Sequence, residues 1–136
     1  MGYPFPRPSK YKLIVKRSAA GLGLFAEEDI PRGAFLIEYW GDKVTDDEAN
    51  RRGGKYLFTL DNGYTIDGKT RANTARYINH ACKPNAEPVL HGERVYISTR
   101  KKIKQGEEIT YDYGKEYFNE YIKPHGCRCA HCQKNT

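Results

Sequence analysis

The chain has 136 residues, the size of one domain, with 23 Lys plus Arg against 17 Asp plus Glu, a net charge of +6 and a pI near 9.1. This balance favours acidic partners, yet the basic residues fall in short clusters (Lys10 and Lys12, Lys16-Arg17, Arg51-Arg52, Arg100 to Lys104), which read as a solvated surface rather than one long run. No stretch approaches the roughly 20 apolar residues of a membrane span, and "MGYPFPRPSK" lacks the apolar core of a secretion signal, so the expectation is a protein that works where it is made, away from membranes.

In chain order, residues 1–11 with their prolines read as an extended leader, and "YKLIVKRS" alternates enough to be a strand. "GLGLFA" follows, "PRG" turns the chain, and "AFLIEYW" is the next apolar run. Residues 42–55 are a polar excursion with room for a short helix. "KYLFTL" and "YTID" flank "DNG", where Asn62-Gly63 is the signal for a two-residue hairpin turn. "NTARYINHA" opens on a capped helical turn, with Asn73 or Thr74 supplying the side-chain oxygen. "EPVL" and "RVYISTR" are two strands around "HGE", and "IKQGEEI" turns into another short strand. Many short strands with glycine turns and little helix make a β-rich domain.

Singly, most of the polar and aromatic residues have ordinary explanations. "GLG" suits any turn, His80 could be a satisfied half-buried histidine, and Tyr111, Tyr113 and the aromatic row Tyr117, Phe118 and Tyr121 suit core packing. The cysteines say more. Three of the four stand in "CRCAHC", so one loop can present Cys127, Cys129 and Cys132 to a single ion. A fourth ligand must come from elsewhere. Cys82 is the remaining cysteine, with His80, His91, His125 and His131 as competitors, and an all-cysteine set would be a closed structural zinc site tying the tail to "NHAC".

From about Lys12 to Cys132 the chain resembles a SET-domain protein lysine methyltransferase. "GLGLFA" is similar to the first glycine motif of that family, "IEYWG" to the strand after it, and "YLFTLDNGYTID" to the central hairpin. "RYINHACKPNA" resembles the signature segment, "GEEITYDYG" the catalytic strand and "CRCAHC" the post-SET zinc tail. The resemblance implies a mostly β fold of small curled sheets with short helices, a knot-like C-terminal threading and a zinc-bound tail. Its implied divisions are a leader at 1–11, a SET domain at 12–114 and a post-SET segment at 115–136. "RYINHAC" and "ITYDY" would then lie side by side, with the active site at their juncture.

The resemblance also implies roles. Asn79 and His80 would hold S-adenosylmethionine, with backbone contacts from Gly21, Leu22 and Gly23, a contribution from Tyr56 beside the transfer channel, and a contact from Arg128 in the tail. Cys82, Cys127, Cys129 and Cys132 would hold one structural zinc ion. Tyr113 would be the catalytic tyrosine. Tyr111, where the family carries phenylalanine or tyrosine, would limit the product to mono- or dimethyllysine. Tyr39, Tyr111, Phe118 and Tyr121 would line the lysine channel. The implied substrate is a lysine of a histone, ribosomal or other basic protein, with direct nucleic-acid binding secondary. Glu38, Asp61, Glu87, Glu93, Glu107, Glu108 and Glu116 are the carboxylates that could draw a basic segment into the groove. The implied location is cytoplasmic for a bacterial protein, and nuclear or chromatin-associated for a eukaryotic, viral or secreted effector one.

Departures from the family pattern are few. Two residues, not the commoner four, separate Cys129 from Cys132, which tightens the loop that carries Arg128. "NHAC" has alanine where serine is usual. No cysteine-rich pre-SET segment stands within these 136 residues, so the resemblance implies a minimal catalytic unit like bacterial or viral representatives. Two other classes compete with an enzyme: a catalytically inactive SET-fold module that binds peptides, and a zinc-containing nucleic-acid-binding module. The latter leaves Asn79, His80 and the paired tyrosines unexplained.

Overall fold

The computed structural model describes residues 6–19 and 21–114. Over this range the chain forms three small sheets, one short α-helix and one 3-10 turn. Strands β1 (Leu13–Ser18) and β2 (Gly21–Ala26) form an antiparallel hairpin, paired from Leu13 opposite Ala26 to Ser18 opposite Gly21. The second sheet places β9 (Arg94–Thr99) between β3 (Phe35–Tyr39) and β8 (Ala86–His91). In the third, β6 (Tyr64–Asp67) lies between β4 (Asp42–Thr45) and β5 (Leu57–Thr59).

Period-2 patterning explains the strands. Along β9, Val95, Ile97 and Thr99 are buried while Arg94, Tyr96 and Ser98 are not, as expected of a strand with one face on the core. Pro88, which cannot donate to a ladder, sits in β8 at the edge of its sheet. Leu24, Ile30, Leu36, Ile66, Ile97 and Ile109 belong to one buried cluster shared by all three sheets. Ile30 and Ile103 add an isolated bridge, with reciprocal backbone bonds of 2.8 and 2.9 Å.

The polar excursion resolves into β4 and helix α1 (Asp46–Arg52). Thr45 caps α1 by accepting from the Glu48 N–H, Asp46, Asp47 and Glu48 occupy its first turn, and Arg51 and Arg52 its last, all in agreement with the helix dipole. The β5–β6 hairpin forms as expected, but its turn differs. Leu60 N–H bonds to the Tyr64 carbonyl across the three residues Asp61, Asn62 and Gly63, and the positive φ values fall at Asp61 (63°) and Gly63 (91°). Asn62 acts through its side chain instead, accepting from the Tyr64 N–H and donating to Glu93.

Asn73 stands at the N-cap position of the 3-10 turn Thr74–Tyr77 without capping it. Fully buried, it accepts from the Trp40 N–H and donates to the Gly68 carbonyl, and these tertiary bonds replace the expected local one. Ahead of the first strand, the Arg7 N–H donates to Glu38 and the Arg7 guanidinium lies 4.1 Å over the Phe35 ring, which fastens this part of the leader to β3. Glu38 is 1% exposed and is gripped by Arg94 through both oxygens, at 2.9 and 2.7 Å, which removes it from the carboxylates available to a groove. No helix among the described residues is long and apolar enough to cross a membrane.

Candidate active site

Strand β7 (Asn79–His80) and strand β10 (Glu108–Tyr111) run parallel, pairing Thr110 with Asn79 and Tyr111 with His80. β10 also pairs antiparallel with β2, so the first sheet is ordered β1, β2, β10, β7. The two segments expected to be neighbours are therefore adjacent in one sheet. Where the two-residue β7 ends, Asn85 takes over as partner of β10. Its amide donates to the Glu108 carbonyl at 2.8 Å and accepts from the Thr110 N–H at 2.9 Å, as an opposing strand would. Nothing in its sequence context distinguishes Asn85 from a loop asparagine.

On one side of β10, Asn79 gathers three acceptors around its side-chain nitrogen: the Glu108 carboxylate at 2.8 Å, the Leu22 carbonyl at 2.9 Å and the Ser18 hydroxyl at 3.1 Å. Two glycines make the facing part of β2 possible for different reasons. Gly21 has a φ of 105°, in the region that favours glycine, and borders open space. A Cβ on Gly23 would lie 2.4 Å from a Glu108 carboxylate oxygen and 3.1 Å from the Asn79 amide nitrogen. Gly23→Ala is therefore expected to displace the Asn79–Glu108 pair and lower stability by about 1–3 kcal/mol, read as an earlier urea unfolding midpoint. Leu22 is half exposed between them. Ser18 is a contributor that no local motif marks; Glu108 stands in "GEEITYDYG", and alternation along β10 away from buried Ile109 and Tyr111 places it on the Asn79 side.

Across the same strand, His80 accepts the Tyr113 backbone N–H at its Nδ1, 3.1 Å away. A backbone amide can only donate, so this imidazole is neutral and its proton sits on Nε2. Burial lowers the His80 pKa against the opposing pull of Asp112, whose oxygen lies 3.7 Å from Nδ1. The other ring nitrogen, Nε2, then faces the Cys82 sulfur at 3.6 Å.

Tyr113 lies just past the end of β10. Its ring meets His80 edge-on at 5.5 Å and Tyr111 at 5.0 Å, and its hydroxyl donates to the Ile78 carbonyl. With that hydrogen committed to Ile78, the phenolic oxygen can act toward any other group only as an acceptor. Tyr111 is buried. A second aromatic pair forms nearby. The hydroxyl of buried Tyr39 donates to the Tyr56 carbonyl at 2.8 Å, its ring packs on Phe58, and the Arg76 guanidinium lies 4.2 Å over the Tyr56 ring. Both pairs border the 3-10 turn, which packs on β2 and β3.

The structure thus brings Asn79 to Leu22 and Gly23, His80 to Cys82, Tyr111 and Tyr113, and Tyr39 to Tyr56. Phe118, Tyr121, Cys127, Arg128, Cys129 and Cys132 lie outside the described residues, as do the knot-like threading and the zinc tail. Among the described residues no three metal-ligating side chains cluster.

The family model described as SET domain matches residues 21–114, and the chain belongs to that family. It is 37% identical over 123 residues to "Histone-lysine N-methyltransferase EHMT1" of Mus musculus, covering 81% of this chain and 10% of that protein. It is 36% identical over 134 residues to "Histone-lysine N-methyltransferase 2D" of Homo sapiens, covering 89% and 2%. To "Histone-lysine N-methyltransferase ASHH3" of Arabidopsis thaliana it is 33% identical over 141 residues, covering 93% and 38%. The chain therefore spans a small part of each of these relatives.

Proposed function

We propose that this protein is an S-adenosylmethionine-dependent protein-lysine N-methyltransferase, forming chiefly mono- and dimethyllysine, with residues 12–114 as the catalytic domain and 115–136 as a post-SET segment. One observation carries this reading: Tyr113 is held against Ile78, His80 and Tyr111 at the end of the strand that also bears the Asn79 cluster. Names of the relatives make a histone lysine the first substrate to try.

The cofactor, when bound, supplies an electrophilic methyl group on a cationic sulfur. The residues present suit it: Gly21 borders open space, and Asn79 has its nitrogen side occupied by acceptors so that its oxygen is left to receive N–H groups. Tyr113 Oη, its hydrogen donated to Ile78, presents lone pairs to an electron-poor methyl carbon and to an amine N–H, and so aligns the two. The aromatic surroundings of Tyr39, Tyr56 and Tyr111 disfavour the ammonium form of lysine and keep water out. Direct displacement needs no covalent enzyme intermediate. The test is methyl transfer from labelled S-adenosylmethionine to histones; transfer supports the reading, and cofactor or peptide binding without transfer would point to an inactive module.

Cys82, held 3.6 Å from His80 Nε2, would form a structural zinc set with Cys127, Cys129 and Cys132. Metal analysis is expected to find one zinc per chain, with loss of activity and of most of the metal in Cys82→Ser. Native protein without stoichiometric zinc, and with all four thiols open to titration, would refute the site.

A further inference from the structure

The Asn79 amide nitrogen carries two hydrogens and has three oxygen neighbours, of which the Leu22 carbonyl and the Glu108 carboxylate can only accept. The amide orientation is thereby dictated: nitrogen toward β2 and Glu108, oxygen away from them. Glu108 provides the shortest of these bonds and the one that is charge-assisted. Its placement is itself constrained, since its carboxylate occupies the space that a Cβ on Gly23 would fill, and the Asn85 amide holds its backbone carbonyl.

We propose that Glu108 is a positioning residue for cofactor binding, acting through Asn79. The carboxylate fixes the amide so that Oδ1 faces the ligand as an acceptor, suited to the α-ammonium of a methionine-like group. Without Glu108 the amide loses its shortest bond and is held only by the Leu22 carbonyl and the Ser18 hydroxyl, so the flipped orientation, whose NH2 an ammonium repels, becomes more accessible. This inference rests on the proposed use of S-adenosylmethionine, and it assigns to Glu108 a role distinct from drawing in a basic substrate segment.

Calorimetry with S-adenosylmethionine, using the full chain, tests it. Glu108→Ala is expected to raise Kd by about ten- to a hundredfold, and Glu108→Gln, which can still accept from Asn79, to recover a large part of that loss. In an Asn79→Ala background, Glu108→Ala should add little, because its effect passes through the missing amide. A second readout needs no cofactor: hydrogen exchange of the Asn79 side-chain amide by NMR should be slow in the unmodified protein and in Glu108→Gln, and at least several-fold faster in Glu108→Ala. Unchanged Kd in a folded Glu108→Ala, or the same loss with and without Asn79, would overturn the proposal. If the unmodified protein binds no S-adenosylmethionine, the methyltransferase reading fails, and unaltered amide exchange in Glu108→Ala would separately remove the positioning of Asn79. Should Glu108→Ala fail to fold, the Gln variant decides: a Kd and an amide exchange rate both close to those of the unmodified protein support positioning, and a full loss of affinity with the amide still protected overturns it.

Discussion

Tyr113→Phe is expected to slow methyl transfer by roughly 10²- to 10³-fold while leaving cofactor binding largely intact. The change removes one oxygen and little else. The ring stays against His80 and Tyr111, and the bond to His80 Nδ1 comes from the backbone N–H, which phenylalanine retains. What is lost is the hydroxyl that donates to the Ile78 carbonyl and that the proposed mechanism uses as an acceptor toward the methyl group and the amine. A packing tyrosine would behave differently: its phenylalanine variant would keep nearly full rate and lose at most some stability. Single-turnover rates on one lysine peptide, with cofactor affinity measured in parallel, separate the two.

Arg94→Ala carries the largest expected effect on stability. Glu38 is buried on a strand whose neighbours are core, and Arg94 supplies two hydrogen bonds to its oxygens from the adjacent strand. Removing one partner of a buried ion pair leaves a carboxylate that has lost both water and its guanidinium, a penalty of about 3–5 kcal/mol. The Arg7 N–H still bonds one oxygen, which places the loss toward the lower end. The double variant Glu38→Leu/Arg94→Leu should recover much of it, since neither charge then needs compensation. Urea unfolding of the single and double variants measures both values, and an Arg94→Ala protein within 0.5 kcal/mol of the unmodified one, a margin of about what surface substitutions produce, would show the pair to be of little consequence.

Much of the strand framework was legible in the sequence because it depends on local rules. The alternation of "RVYIST" and the Asn-Gly signal of the central hairpin both correspond to observed strands. The turn itself was not legible, because Asn62 is drawn into bonds with Tyr64 and with Glu93 in the turn between β8 and β9. Glu38 shows the same limit. Alternation in "FLIEY" puts it on the side of Leu36, but a charge there reads as solvent-facing until Arg94, 56 residues away, is known to meet it. In the site, Asn79, His80 and Tyr113 came from motif resemblance, and the structure supplies their partners. Ser18 and Asn85 were missed, and Glu108 was singled out only as a carboxylate for drawing in a basic segment, because their contacts arise only when β2, β7 and β10 are brought together.

The most direct test of the central claim is mass spectrometry of histones and a whole proteome incubated with the protein and heavy-methyl S-adenosylmethionine. The account predicts heavy methyl groups on lysine, mainly as monomethyllysine with some dimethyllysine, a shift toward higher states with Tyr111→Phe, and near absence of label with Tyr113→Phe. No label on any lysine from the unmodified, zinc-replete protein would contradict it, as would undiminished labelling by Tyr113→Phe.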